Sequence, residues 1–373
     1  MAQGSIKKEN NNWYYVFGYQ DPISGKRKQK KKRGFKTKKE AQAALTKALN
    51  QVNEGTYIEP SKMTLNEFLD IYIENKKRTV NINTQQKYYY TIENHIRPFL
   101  GHMLIANLKP LHISLLYTTL HEEKRSAATI QNVHKVLVNI FNQAVKLQVV
   151  PHNIVLAIST PKHKPQEMNI WTQEQVQMFL KTAEETPYEL IYVLALNTGM
   201  RQGELIGLLW DDIDFEKKVI KIRHTIINGS KKIQESTKTT SSRRVIELSD
   251  TVIRLLKKHK AVQAEQRLKL GNGYQNMNLV NASLEGTPIN PSNLRRSFNN
   301  FIKKANVPKI RFHDLRHTHA SLMLQLGVNV KVISERLGHA STKITLDRYS
   351  HSLPTMQKEA ATIFDQFIYA GRK

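Results

Sequence analysis

The run His313-Asp314-Leu315-Arg316-His317, followed by Leu337-Gly338-His339 and then Asp347-Arg348-Tyr349, decides how this chain is read. It sets His313, Arg316, His339 and Tyr349 in a fixed order near the C-terminus. Metal-free attack on a phosphodiester needs a nucleophile, cations around the phosphate and proton carriers. These side chains supply each. A second arginine stands far upstream in Thr198-Gly199-Met200-Arg201-Gln202-Gly203-Glu204-Leu205, so the site is expected to be assembled from both ends of one domain.

Composition points the same way. Lys and Arg total 57 against 31 Asp and Glu, a formal charge of +26, which is the footprint of a polyanionic partner, nucleic acid first. No run of about 18 apolar residues occurs, and the N-terminus lacks the apolar stretch of a signal peptide. A soluble, intracellular protein is expected, with no membrane partner. The chain has no cysteine, which excludes disulfides, thiolate zinc sites and cysteine nucleophiles. His313 and His317 stand at the i, i+4 spacing of zinc ligands, but Asp314 occupies the place where a zinc-peptidase helix carries Glu. Neither a metal nor another cofactor is expected.

The length suits two or three domains. Residues 1–60 contain the strand-like run Trp13-Tyr14-Tyr15-Val16-Phe17-Gly18-Tyr19 and the turn signal Asp21-Pro22-Ile23-Ser24-Gly25. A basic run follows: Lys26, Arg27, Lys28, Lys30, Lys31, Lys32 and Arg33. Thr37 and Glu40 then form a capping box ahead of Ala41, Ala44, Leu45, Ala48, Leu49 and Val52 at helical spacing. We expect a small sheet on one helix whose strands carry cations into a DNA groove; a solvated basic tract is the competing reading.

Residues 63–160 read as helical. Thr64 and Glu67 make a second capping box, and Ile130, Val133, Leu137, Ile140, Phe141 and Ala144 form one core-facing stripe. Lys87, His95, Arg97, Arg125, His134, Lys135 and Lys146 spread basic side chains over this bundle. Of these, Lys87, Arg125 and Lys135 are the DNA-binding candidates. Pro161-Lys162-His163-Lys164-Pro165 marks a hinge.

Residues 168–373 make the third domain. Thr172 caps helices that stop at Gly199, and segments 219–222 and 244–248, with the turn Asn228-Gly229 between them, argue for a short antiparallel sheet. Helices resume from Asp250, with Gly271-Asn272-Gly273 as a loop. The expected fold is multidomain, mostly α with small β-sheets: a sheet-plus-helix module, a helical domain and a mixed α+β domain.

Arg201 follows a helix stop and precedes the apolar Leu205, Leu208 and Leu209, so it sits at a helix start. Glu204 is close enough there to orient its guanidinium toward phosphate oxygens; an arginine in such a place is otherwise solvent-facing or simply ion-paired. His313 and Arg316 share a face at i, i+3, with Phe312, Leu315, Leu322 and Leu326 at core spacing. Lys238 lies in a polar stretch between β-rich segments, where side-chain chemistry alone does not prefer it to Lys231 or Lys232. His339 suits a helix cap and Tyr349 a half-buried aromatic. Each bland reading stands singly; the ordered conjunction speaks against them together.

In that order and with those flanking words, Arg201, Lys238, His313, Arg316, His339 and Tyr349 resemble the catalytic set of the tyrosine recombinases, the phage-integrase family. Residues 63–160 are similar to that family's helical, SAM-like core-binding domain. Residues 1–60 resemble, more loosely, the arm-type DNA-binding domain of integrases from phages and conjugative transposons. The resemblance implies that Tyr349 attacks the scissile phosphate to give a 3′-phosphotyrosyl link while Arg201 and Arg316 neutralise the non-bridging oxygens. Lys238 would protonate the 5′-oxygen, His313 assist proton transfer at the tyrosine, and His339 hydrogen-bond the phosphate. The implied partners are double-stranded DNA with core-type and arm-type sites and a homotetramer assembled on it, with an excisionase and a host DNA-bending protein as accessory candidates.

A type IB topoisomerase is the nearest alternative, and a non-catalytic DNA-binding regulator the next. The separate basic module argues against the first and the intact residue set against the second. In the tail, Ile363, Phe364, Phe367 and Ile368 form an apolar face for packing on the same domain or, as the resemblance implies, on a neighbouring protomer.

Overall fold

The computed structural model describes residues 3–20, 25–54, 57–59, 61–161, 169–227, 232–235, 243–349 and 354–369, without the side chains of 348, 349, 354–360 and 363. The chain divides into two compact units, Met1–Lys164 and Pro165–Lys373.

The first unit opens with an antiparallel sheet in the order β1 (Gly4–Glu9), β2 (Asn12–Gln20), β3 (Arg27–Phe35), backed by α1 (Lys38–Asn53). Strand β2 alternates as a half-buried strand should, with Tyr15, Phe17 and Tyr19 packing against Leu45 and Ala48 of the helix. Strand β1 was not anticipated, because Ile6 is its single apolar side chain. It is fixed by a tight hairpin in which Asn10 and Asn11 take φ of 47° and 63°, a left-handed pair that asparagine tolerates better than most residues. The Thr37–Glu40 capping box forms in both directions, at 3.2 and 3.3 Å. Asp21 to Ser24 of the expected turn lie outside the described residues.

A helical bundle follows: α2 (Leu65–Thr79), α3 (Ile82–Thr91), α4 (Arg97–Leu100), α5 (Pro110–Glu122) and α6 (Ala127–Lys146). The whole expected stripe of α6 is buried. Between α3 and α4 the backbone widens into a π-turn over Ile92–Ile96, which residue periodicity does not reveal. Here the sequence reading needs correction. His95, read as a cation spread over the surface, is buried in that turn, and burial pushes its pKa down. His134 is likewise pushed down by burial and hydrogen-bonded through Nδ1 to Tyr117 at 2.9 Å, and Arg97 is paired with Asp70 and Glu93. Lys87, Lys135 and Lys146 remain exposed, and Arg125 is exposed with Glu123 at 3.3 Å.

The second unit contains α7 (Gln173–Ala183), α8 (Glu189–Thr198), α9 (Gln202–Ile206), β4 (Ile213–Asp214), β5 (Val219–Ile222), β6 (His224–Ile226), β7 (Ile233–Glu235) and β8 (Arg244–Glu247). Helices α10 (Asp250–Leu270), α11 (Pro291–Lys304), α12 (Asp314–Gln325), α13 (Val330–Leu337), α14 (Thr342–Tyr349) and α15 (Pro354–Tyr369) complete it. Strands pair antiparallel as β4-β5-β8 and β6-β7. An aromatic cluster of Trp171, Phe179, Tyr192, Phe298 and Phe312 anchors the core around α8, which is apolar on nearly every side and correspondingly buried. Leu326, assigned to the core by spacing, is 81% exposed because α12 ends at Gln325 and Leu324 fills the inward place. Gly271–Gly273 forms a short 3-10 turn rather than a plain loop. The hinge beyond Pro161 and the Asn228-Gly229 turn lie outside the described residues. Among the described residues no helix is long and apolar enough to cross a membrane.

Candidate active site

Helix α8 ends at Gly199, whose φ of 62° closes the helix in the left-handed region. A Cβ there would lie 2.7 Å from both His319 Cδ2 and Leu337 Cδ2, so glycine is required by space as well as by φ. The turn delivers Arg201 to the head of α9. Its backbone N–H donates to Glu204 Oε2 at 2.9 Å, Nη1 to Oε1 at 2.8 Å, and Nη2 to the Gly338 carbonyl at 3.2 Å. The side chain stays 39% exposed, leaving an edge of the guanidinium open to an anion.

Arg316 approaches from α12 and is buried. Its Nη1 donates to Gly199 O at 2.7 Å and its Nη2 to Leu337 O at 2.5 Å. His313 stands just ahead of that helix, exposed, its ring edge-to-face with buried His317 at 5.0 Å. The start of α12 is fixed by Arg311, whose Nε and Nη2 hold the two oxygens of Asp314 at 3.0 and 2.8 Å. Burial works to raise that carboxyl's pKa, yet Arg311 holds it below the ordinary value.

His339 follows Gly338, which ends α13 at φ 64°. Its Nδ1 shares a 2.8 Å hydrogen bond with Thr345 Oγ1, and Thr345 is buried in α14, the helix whose last residue is Tyr349. The structure thus gathers Arg201, Arg316 and His339 around the end of α13, with His313 beside Arg316 in sequence. The Tyr349 side chain and all of Lys238 lie outside the described residues.

Sequence reasoning overlooked Arg244, the first residue of β8. Its Nη2 donates to Glu204 Oε2 at 2.8 Å, Nη1 to Oε1 at 3.2 Å, and Nε to Arg336 O at 2.5 Å. The signal was present, since Ile246 and Leu248 point inward and strand alternation puts Arg244 on the same face. Burial acts to raise the Glu204 pKa, but Arg244 and Arg201 overcome it and hold the carboxyl at about 2. His319 was also overlooked. It hydrogen-bonds Leu196 O at 2.7 Å, and burial pushes it down to about 4, so it is neutral at physiological pH. Among the described residues no group of three or more His, Asp or Glu side chains is arranged to hold a metal ion.

In the first unit, strand register divides the basic candidates. Directly paired residues of antiparallel strands point to the same face. Lys31, Gln29 and Arg27 pair with Val16, Gly18 and Gln20 on the outward face, whereas Lys32, Lys30 and Lys28 pair with Tyr15, Phe17 and Tyr19 on the side that bears α1. Lys30 accordingly salt-bridges Glu59 at 2.6 Å. Lys31 lies over the Tyr14 ring at 3.8 Å, and Glu9 approaches Lys31 at 3.0 Å and Arg33 at 3.4 Å.

Arg201 at the head of α9 and Arg316 in the first turn of α12 thus meet at the end of α13 beside His339, and the next helix, α14, ends at Tyr349. Models of three families match: the phage integrase family over residues 169–356, an arm DNA-binding domain over 5–52, and the phage integrase N-terminal SAM-like domain over 64–121. A tyrosine recombinase XerC-like protein of Caldanaerobacter subterraneus subsp. tengcongensis is 30% identical over 358 residues, covering 89% of this chain and 91% of that protein. The fold is shared with the Tn1549 transposon integrase solved with transposon right end DNA (TM-score 0.68, 21% identity, 80% of this chain and 100% of that one). It is shared also with a lambda integrase tetramer bound to a Holliday junction (TM-score 0.60, 20% identity, 90% and 96%). The chain belongs to the phage integrase family, the tyrosine recombinases, which cut and rejoin DNA by site-specific recombination.

Proposed function

We propose that the enzyme integrates and excises a mobile element, a phage or conjugative transposon, through a covalent 3′-phosphotyrosyl intermediate. The observation that carries the chemistry is the convergence of Arg201, Arg316 and His339 at the end of α13. The Tyr349 oxygen bonds to phosphorus as the 5′-oxygen leaves, taking its proton from Lys238. His313 receives the tyrosine proton directly or through water. Arg201 and Arg316 neutralise the charge that builds on the non-bridging oxygens, and His339 donates to one of them. The ester is conserved, so a 5′-hydroxyl of another strand reseals it without ATP.

Two DNA addresses fit the two basic surfaces of the first unit. The outward sheet face, with Arg27, Gln29 and Lys31, suits an arm-type major groove, where Arg and Gln read base edges and Lys the phosphates. Lys87, Arg125 and Lys135 of the bundle suit the core-type site. Four protomers act on two duplexes, a state supported by the likeness to the Holliday-junction tetramer. An excisionase and a host bending protein are the accessory factors to seek, in the bacterial cytoplasm where the DNA lies.

The test uses nicked suicide duplexes carrying the sequence that flanks the coding region. Wild type should form covalent complex in EDTA, and Tyr349→Phe should bind the DNA without forming any. Arg201→Ala and Arg316→Ala should each cost roughly 10²-fold in cleavage, as losing one oxyanion donor does. Covalent product from the Phe variant, or cleavage that chelation abolishes, would overturn the proposal.

A further inference from the structure

We infer that Arg244 is a positioning residue for strand cleavage, holding Glu204 and the end of α13 so that Arg201 keeps its outer N–H groups for the phosphate. The inference rests on the reading that Arg201 contacts that phosphate.

Three successive carbonyls at the end of α13 each accept from a different arginine. Arg336 O takes Arg244 Nε at 2.5 Å, Leu337 O takes Arg316 Nη2 at 2.5 Å, and Gly338 O takes Arg201 Nη2 at 3.2 Å. Helix ends leave carbonyls without intrahelical partners, and guanidinium groups fill that role here. Because His339 follows directly, its backbone is indexed to the arginines by the same three bonds.

Arg244 differs from Arg201 in that each of its guanidinium nitrogens, Nε, Nη1 and Nη2, donates to a protein acceptor, and its side chain is 6% exposed against 39%. Its donors go to Arg336 O and to both oxygens of Glu204. The carboxylate takes Arg201 Nη1 and Arg244 Nη1 on Oε1, and the Arg201 backbone N–H and Arg244 Nη2 on Oε2. A carboxylate beside a lone arginine favours a two-bond fork. With Arg244 seated across both oxygens, Arg201 makes one side-chain bond to Glu204 and presents the rest of its donors to Gly338 and the open rim. Without Arg244, Arg201 is free to turn fully onto Glu204, away from the phosphate. Buried Glu204 would also lose one of its two cations, and its pKa would rise from about 2.

The experiment compares full-length wild type, Arg244→Lys and Arg244→Gln on a nicked duplex carrying the core-type site from the DNA flanking the coding region. Single-turnover covalent complex is followed between pH 5 and 8, alongside gel-shift affinity. Arg244→Lys keeps the charge but not the fork. It should bind within about twofold of wild type and cleave about tenfold more slowly, less than the roughly 10²-fold of a donor that touches the phosphate. Arg244→Gln should add a fall in rate toward pH 5 steeper than that of wild type. Wild-type rate and pH profile in both variants would sink the inference alone, as would equal loss of binding and cleavage in Arg244→Lys, which marks a residue that merely supports the domain. Absence of covalent product from wild type would sink the catalytic reading and this inference with it.

Discussion

Glu204→Gln tests how far the site depends on one buried carboxylate. Glu204 is 3% exposed, and its carboxyl sits at about 2 against an ordinary 4.5. The difference, at 1.36 kcal/mol per unit, is about 3 kcal/mol of folding stability, in line with the roughly 3–5 kcal/mol for breaking a buried ion pair by removing one partner. The folded value is depressed, so this contribution is complete above the unfolded pKa near 4.5 and is lost as pH falls toward 2. Glutamine cannot restore it, because its NH2 group would face the guanidinium donors of Arg244 or Arg201. At pH 7 the variant should therefore be about 3 kcal/mol less stable, with the gap to wild type closing as the pH is lowered from 5 to 2. Two of the three tryptophans, Trp171 and Trp210, belong to the second unit. Urea unfolding followed by their emission in a Trp13→Phe background reports on that unit. A gap below about 1 kcal/mol at pH 7, or one unchanged at pH 3, would refute the argument from burial and pairing.

Three further outcomes follow from other parts of the chain. Gly199→Ala combines a left-handed backbone with Cβ contacts of 2.7 Å, so the same emission assay should register about 2–5 kcal/mol of destabilisation; a neutral result would mean the α8 turn relaxes freely. Removing residues 1–60 should abolish gel-shift binding to arm-type DNA while sparing core-type binding, and both affinities should drop steeply with salt; undiminished arm binding would locate that address elsewhere. Phe364, Phe367 and Ile368 on α15 are 66%, 78% and 53% exposed, so deleting residues 360–373 should impair tetramer formation and strand exchange on full sites more than half-site binding. Equal loss in all three measurements would point to misfolding rather than lost docking between protomers.

Local chemistry made much of this legible. Capping boxes at Thr37 and Thr64 and the left-handed stop at Gly199 are short-range devices, and each formed where its residues stand. The Arg201–Glu204 pair was readable for the same reason, because a helix start brings i and i+3 together. What escaped depends on neighbours distant in sequence. Strand β1 is held by pairing with β2 rather than by its own apolar pattern. His95 is buried because the π-turn shifts the helical phase. Arg244 gains its meaning only when β8 is laid beside α9 and α13, elements that sequence spacing cannot bring together.

Strand β3 lies at the edge of its sheet, and six of its nine residues are lysine or arginine. An edge strand exposes unpaired backbone groups that invite a second chain to add on, and dense positive charge is one of the devices that prevents it. The cations proposed to enter a DNA groove would therefore also guard this edge against self-association. Alanine replacement of the whole run would remove the proposed DNA contacts and the edge charge together, so any lost DNA binding would be confounded by self-association. Arg27→Glu or Lys31→Glu separates them, since a reversed charge still guards the edge while repelling phosphate.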